Sequence, residues 1–302
     1  MQENYSIDYI RQLESESIHI IREVAASTNR PVLLYSIGKD SSVLLKLAQK
    51  AFSPGKIPFE LLHIDTGFKF PEMIDFRDYY IKKIDVNLIV YKNESEEAMS
   101  LTSDDAHTDR YVYLKKTKPL LDALHQNNFT AAIGGARREE EKSRAKERIF
   151  SVRTKQGVWD PKNQRPELWH TYNYKITEKQ SLRIFPISNW TEIDIWHYIR
   201  QENIEIVPLY FSQKTKVVNR HNTLIRIDEM TKAKKGEEVR ELMCRYRTLG
   251  CAPSTGAIES TATTVEEIIE EIKYAKNSER QNRAIDQSSD VSMEQKKRQG
   301  YF

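Results

Sequence analysis

The sequence predicts an α/β fold: a doubly wound, mostly parallel sheet with an irregular C-terminal extension. Three observations carry the prediction. Through the first half of the chain, short apolar runs alternate with segments whose apolar residues recur at helical spacing, the pattern of parallel strands joined by crossover helices. The first run, Pro31-Val32-Leu33-Leu34-Tyr35, enters its helix through a turn rich in Ser, Gly and Asp. The strand candidates end at Ser36, Asp65 and Gly134, each followed by polar or glycine-containing sequence, at the edge where such sheets hold ligands.

The elements follow in order. Ile7, Ile10, Leu13, Ser17, Ile21 and Val24 mark an amphipathic opening helix. Residues 31–35 form the first strand and 42–52 its helix, broken by Ser53-Pro54-Gly55. Residues 61–65 form the second strand, and 71–82 a helix with Pro71 at an early position. Residues 88–91 are a third strand, 93–110 a loop or weak helix, 118–126 a helix, and 130–134 a small-residue buried strand. Residues 154–180, rich in Gly, Pro, Asn, Gln and Trp, read as a long surface excursion. A strand returns at 183–187, and Thr191-Glu192-Ile193-Asp194 opens a helix with a capping-box pattern. A last helix begins at Thr264, before a polar, basic tail from Gln281.

Composition narrows the class. With 302 residues, 39% of them hydrophobic, the chain can bury a substantial core. A net charge of +3 is too small to imply bulk nucleic-acid binding. No apolar stretch approaches membrane-spanning length, and Gln2-Glu3-Asn4 do not begin a signal peptide, so a cytoplasmic protein is expected. Cys244 and Cys251 make no CxxC or zinc pattern, as expected of free thiols.

Four clusters carry chemistry. The first is Ser36-Ile37-Gly38-Lys39-Asp40-Ser41-Ser42. A turn of this kind gathers backbone N–H groups at the positive end of a helix dipole and suits phosphate. It is not a Walker A loop, since Leu33 and Asp40 stand where glycine and Ser or Thr are required. Nor is it a dinucleotide fingerprint, because Gly38 has no partner glycine nearby. The second cluster, His63-Ile64-Asp65-Thr66-Gly67-Phe68-Lys69-Phe70, places Asp65 where it faces nucleotide hydroxyls or a metal-bound water, or simply ends a strand.

The third runs from Gly134 through Arg137 and Arg138 to Arg148. Its two leading guanidinium groups suit an oxyanion, and the remainder reads as a solvated helix of alternating charge. The fourth, residues 245–260, mixes small, polar and basic residues without helical period, as a loop folded over an anion would. Within it, Cys251 is a nucleophile or a packed thiol, and no adjacent base favours the former.

The first cluster resembles the PP-loop of the ATP pyrophosphatases, usually Ser-Gly-Gly-x-Asp-Ser, with Ile37 in place of the first Gly. Together with Phe185-Pro186-Ile187-Ser188-Asn189-Trp190-Thr191-Glu192, Arg247-Thr248-Leu249-Gly250-Cys251 and the Gly300-Tyr301-Phe302 end, the chain is similar to the small subunits of bacterial sulfate adenylyltransferases. The resemblance implies that ATP and sulfate give adenosine 5′-phosphosulfate and pyrophosphate, with a large GTPase subunit as partner, which fits the lack of a Walker A loop here. It implies nucleotide and pyrophosphate contacts at residues 36–42, with Asp65, Thr66 and Gly134 bordering the site. Lys39, Asp40, Arg137 and Arg138 would be catalytic, Arg137, Arg138 and Arg247 would bind sulfate, and Asp40 would hold Mg²⁺. Residues 1–200 would form the nucleotide-binding domain, and 201–302 would complete the site and the partner contacts. A phosphosulfate reductase would need a reactive cysteine near the C-terminus, and none follows Cys251. A tRNA-modifying relative would need an added RNA-binding domain or a catalytic cysteine pair. A non-catalytic nucleotide-binding module is the remaining alternative.

Overall fold

The computed structural model describes residues 2–154, 156–220, 222–275 and 279, with side chains from Tyr9 onward. The Gly300-Tyr301-Phe302 end and the tail from Gln281 lie outside these residues. Helix α1 (Gln2–Ser27) precedes β1 (Pro31–Leu34), α2 (Lys39–Phe52), β2 (Glu60–Asp65), α3 (Pro71–Ile84) and β3 (Leu88–Lys92). The undecided stretch after β3 holds one-turn helices α4 (Glu96–Met99) and α5 (Asp109–Val112), the second running through a π turn (Tyr113–Thr117) into α6 (Lys118–Gln126). β4 (Ala131–Ile133), the one-turn α7 (Lys142–Ala145), β5 (Phe150–Thr154), β6 (Gln180–Ile184) and α8 (Glu192–Gln201) complete the first unit of structure.

Strands β1 to β6 form one sheet in the order β3-β2-β1-β4-β6-β5, parallel except for edge strand β5. Its register sets Leu33 between Leu61 and Ile133. Side chains alternate across the sheet. Leu33, Leu61 and Ile133 join the core that includes Ile21 of α1, Leu44 of α2 and Trp196 of α8. Val32, Leu62 and Ala132 face the other way, onto Leu120 and Leu124 of α6. Burial on both faces explains why these strands are continuous apolar runs. Because the chain leaves β1 toward β2 and β3 and returns on the other flank at β4, the order reverses between β1 and β4, and ligands bind at such points.

Two parts differ from expectation. The charged run after β4 is not a solvated helix. A 3₁₀ turn (Arg138–Glu140) and α7 interrupt it, and Ile149 and Phe150 then enter the core with β5. Two of its acids hold backbone groups: Glu139 accepts the N–H of Glu192 at the start of α8 at 2.8 Å, and Glu140 accepts the Arg137 N–H at 2.8 Å. The C-terminal part is also more regular than expected. β7 (Gln213–Arg220), β8 (Thr223–Arg226), β9 (Arg240–Arg245) and β10 (Ile258–Glu259) form an antiparallel sheet in the order β10-β9-β7-β8, followed by α9 (Val265–Lys273). Val217 and Cys244 of that sheet and Ile268 of α9 belong to the same core as Leu33.

The excursion after β5 is irregular, as expected, and lies along the edge of that strand. Glu167 accepts the N–H groups of Ile149 and Phe150 at 2.7 and 2.8 Å. The Gln164 amide accepts from the Val152 N–H and donates to its carbonyl. These side chains occupy hydrogen-bonding groups that a bare edge would offer to another chain.

Candidate active site

The phosphate loop is built by the end of β1 and the start of α2. The Tyr35 N–H continues the strand by bonding to the Leu62 carbonyl at 2.9 Å. The chain then turns at Ile37, whose φ of +70° lies in the left-handed region that β-branched residues avoid. Its side chain is wholly buried, so packing holds the residue there. α2 starts earlier than its apolar spacing predicts, which puts Lys39, Asp40 and Ser41 in its first turn. The residue at its N-cap, Gly38, has no side chain to cap it. The Ser41 hydroxyl donates to the Gly38 carbonyl at 2.9 Å, and the Lys39 N–H donates to the Tyr210 hydroxyl at 2.8 Å. Gly135, just after β4, lies against the loop: a Cβ there would stand 3.2 Å from the Asp40 Cβ and 3.3 Å from its carbonyl carbon.

Beneath the loop is a buried ion cluster. The side chains of Lys39 and Arg137 have no exposure. Arg137 Nε donates to Asp40 Oδ1 at 2.7 Å, and Lys39 Nζ lies 3.5 Å from Asp40 Oδ2. Lys39 Nζ also donates to the Arg247 carbonyl at 3.0 Å and to Glu279 Oε2, while Arg137 Nη2 donates to Glu279 Oε1. Burial pushes the Asp40 carboxyl up, but Lys39 and Arg137 outweigh it and hold the group below its ordinary range. Burial alone would lower the Lys39 ammonium, but Asp40 and Glu279 reverse this, and it stays charged.

Above Asp40 opens a cleft of about 260 Å³ at the carboxyl ends of β1, β2 and β4. Of the residues expected from sequence, Ser36, Asp40, Ser41, Thr66 and Gly134 line it. Ile37, Gly38, Lys39 and Ser42 form the loop without lining the cleft. Asp65 instead accepts the Gly67 N–H at 2.8 Å in a tight turn. The three arginines expected at sulfate are not among its lining residues. Arg137 lies in the ion cluster, Arg138 donates to Asn189 Oδ1, and Arg247 pairs with Glu192 at 2.5 Å.

Other cations line the wall: Lys69 after β2, Lys116 in the π turn, and Arg144 in α7, which pairs with Glu140 at 2.6 Å. Lys69 and Arg144 fall inside clusters marked by sequence, whereas nothing local marks Lys116. Cys251 also lines the cleft, 3.3 Å from Thr66 Oγ1. Burial raises its thiol, but Lys116 and Lys69 oppose this and bring it below its ordinary value.

The carboxylates lining the cleft are those of Asp40 and Glu140, and the hydroxyls of Ser36 and Ser41 lie beside Asp40 in the loop. Among the described residues, no group of three or more His, Cys, Asp or Glu could hold a metal ion. Hard oxygens in so small a number fit a Mg²⁺ whose shell is completed by phosphate and water.

A mostly parallel α/β sheet with a Ser/Gly/Asp phosphate loop at its switch point defines a nucleotide-binding protein of the PP-loop type. In fold it is similar to Candida glabrata FMN adenylyltransferase in complex with FMN and the ATP analogue AMPCPP, with a TM-score of 0.50, 16% identity, and coverage of 76% of this chain and 72% of that one. Residues 30–257 match the phosphoadenosine phosphosulfate reductase domain family. Sulfate adenylyltransferase subunit 2 of Aliivibrio fischeri (strain MJ11) is 57% identical over 297 residues, 98% of each chain. The Zymomonas mobilis protein of the same name is 57% identical over 303 residues, covering the whole of both. The chain belongs to the sulfate adenylyltransferase subunit 2 family, nucleotidyltransferases that form one part of a multi-subunit enzyme. No helix among the described residues is long and apolar enough to cross a membrane.

Proposed function

We propose that the chain transfers the adenylyl group of ATP to sulfate, giving adenosine 5′-phosphosulfate and pyrophosphate, as the first step of sulfate assimilation. Similarity along the whole length to the Zymomonas mobilis subunit is the observation that carries the reading. A sulfate oxygen attacks the α-phosphorus in line, the bond to the bridging oxygen breaks, and its electron pair leaves with pyrophosphate. Sulfate is already fully ionised, so no general base is needed. The work is to hold two anions together and to stabilise charge on the leaving group.

The first-turn N–H groups of α2 that follow Lys39, whose own N–H is held by Tyr210, would receive the leaving pyrophosphate. Lys69, Lys116 and Arg144 would hold the second anion, and Thr66 and Gly134 would border the nucleotide. In this reading Lys39 and Arg137 act through Asp40 from beneath, while Arg138 and Arg247 serve their own partners. Asp40, with Ser36 and Ser41 near it, would hold Mg²⁺ together with phosphate oxygens, and the ion would neutralise part of the leaving group's charge. The phosphate–sulfate anhydride is high in energy, so the reaction needs an external drive, which we assign to a large GTPase subunit.

The test is sulfate-dependent exchange of labelled pyrophosphate into ATP by the chain with its copurifying partner, with and without GTP. Exchange that requires sulfate is expected, and its absence would remove the reading. Asp40→Ala is expected to lower exchange by about a hundredfold or more with an unchanged circular dichroism spectrum. Full activity in that variant would take Asp40 out of the mechanism.

A further inference from the structure

Glu279 lies 240 residues along the chain from Lys39 and 142 from Arg137, yet its carboxylate meets both. Its side chain is only 4% exposed. A buried carboxylate is costly unless it is paired and hydrogen-bonded, and this one is paired twice, with Lys39 Nζ on Oε2 and Arg137 Nη2 on Oε1. These are the two cations that grip Asp40, at 2.7 Å from Arg137 Nε and 3.5 Å from Lys39 Nζ. Asp40 and Glu279 are thus the two carboxylates that both cations share, while Arg137 Nη1 also reaches Glu139 Oε2 at 3.4 Å.

The two carboxylates differ in position. Asp40 lines the cleft, whereas Lys39, Arg137 and Glu279 are not among its lining residues. A carboxylate standing in for a bound phosphate would have to face the cleft. Glu279 instead backs the cation pair that Asp40 fronts. Further ties hold the cluster to its surroundings: Lys39 Nζ donates to the Arg247 carbonyl at 3.0 Å, and the Arg137 N–H to Glu140 at 2.8 Å.

We infer that Glu279 is a positioning residue: it fixes Lys39 and Arg137, and through them aims the Asp40 carboxylate at the reacting phosphates. The inference rests on reading the cleft as the adenylyl-transfer site. Without the Glu279 charge, both cations have Asp40 as their shared carboxylate and draw it inward, away from the cleft.

Three variants separate positioning from bulk stability in the whole enzyme with its partner. Glu279→Gln keeps shape and loses charge, Glu279→Asp keeps charge on a shorter arm, and Glu279→Ala loses both. The exchange assay is run for kcat and for the KM of ATP, with a thermal unfolding midpoint for each protein. Glu279→Gln is expected to lower kcat roughly tenfold or more while KM stays within about threefold and the midpoint within a few degrees. Glu279→Asp should recover a large part of kcat.

A kcat for Glu279→Gln within about twofold of wild type would overturn the inference. So would tighter ATP binding with higher activity, which would make the carboxylate a plug, and so would failure of all three variants to fold, which would make its role structural. Wild-type enzyme without sulfate-dependent exchange would overturn the adenylyl-transfer reading and this inference with it. Loss confined to the variants bears on Glu279 alone.

Discussion

Acid should destabilise this protein through a residue in the wall of its own cleft. His63 lines the cleft, is 1% exposed, and donates from Nδ1 to the Tyr35 carbonyl at 2.8 Å. Its Nε2 is buried and has no hydrogen-bond partner among the described residues. Burial first, and then the nearby Lys69, pushes its pKa down from 6.5 to about 4, against the opposing bond to Tyr35. The unfolded chain therefore takes up a proton as pH falls through 6.5, while the folded chain waits until about 4. Stability from the neutral imidazole is complete above pH 6.5 and is lost between there and about 4.

At roughly 1.4 kcal/mol per pH unit, that interval amounts to about 3 kcal/mol, with about 2 kcal/mol gone by about pH 5. Against a typical total of about 5–15 kcal/mol this is a large fraction. His63→Asn retains a donor for Tyr35 and cannot titrate. Urea unfolding of both proteins across this pH range should show the wild-type value falling toward the variant's by about 2 kcal/mol between about pH 7 and pH 5. Curves that stay parallel within about 0.5 kcal/mol would refute the argument.

Two further predictions address the cleft. Gly135→Ala puts a methyl group 3.2 Å from the Asp40 Cβ and 3.3 Å from its carbonyl carbon, so the loop backbone must shift. The KM for ATP should rise about tenfold, and a wild-type KM would show the loop tolerates the shift. Lys116→Ala should raise the KM for sulfate about tenfold while Arg138→Ala, whose guanidinium meets Asn189, leaves it within about twofold. The reverse pattern would return sulfate to Arg138.

The legible parts of the fold are those whose burial is set by short-range pattern. β1 and β4 sit inside the sheet and read as unbroken apolar runs, and β2 is interrupted only by His63 between Leu62 and Ile64. β5 is hard to read because only a few core residues, Ile149 and Phe150 among them, follow a long charged stretch. β7 is hard to read because Lys214 and Lys216 flank a single buried Thr215, with Val217 and Val218 buried after them.

At the site, residues at the carboxyl ends of the apolar strands, such as Ser36, Thr66 and Gly134, are legible, and those delivered from elsewhere are not. Lys116 arrives on a π turn and Glu279 from near the C-terminus, and no spacing rule links either to Ser36. The adjacent arginines also illustrate a physical limit on reading neighbours as a pair. Arg137 has an extended backbone with φ −119° and ψ 144°, and extended chains send successive side chains to opposite faces. One guanidinium therefore goes to Asp40 and the next to Asn189.

Ile37 has a consequence for how ligand affinity is maintained. Glycine at such a position would adopt the left-handed turn by itself, whereas isoleucine opposes it by about 1–2 kcal/mol. The shape of the phosphate loop is therefore imposed by the core around the isoleucine side chain, and local preference works against it. Affinity and core integrity become one quantity at this residue. Substitutions that loosen the packing around Ile37 let the turn relax, so grip on the nucleotide should decline at temperatures well below the midpoint of unfolding. Directed evolution of this enzyme would then meet temperature-sensitive variants whose lesions lie in the hydrophobic interior, at residues that make no contact with the nucleotide.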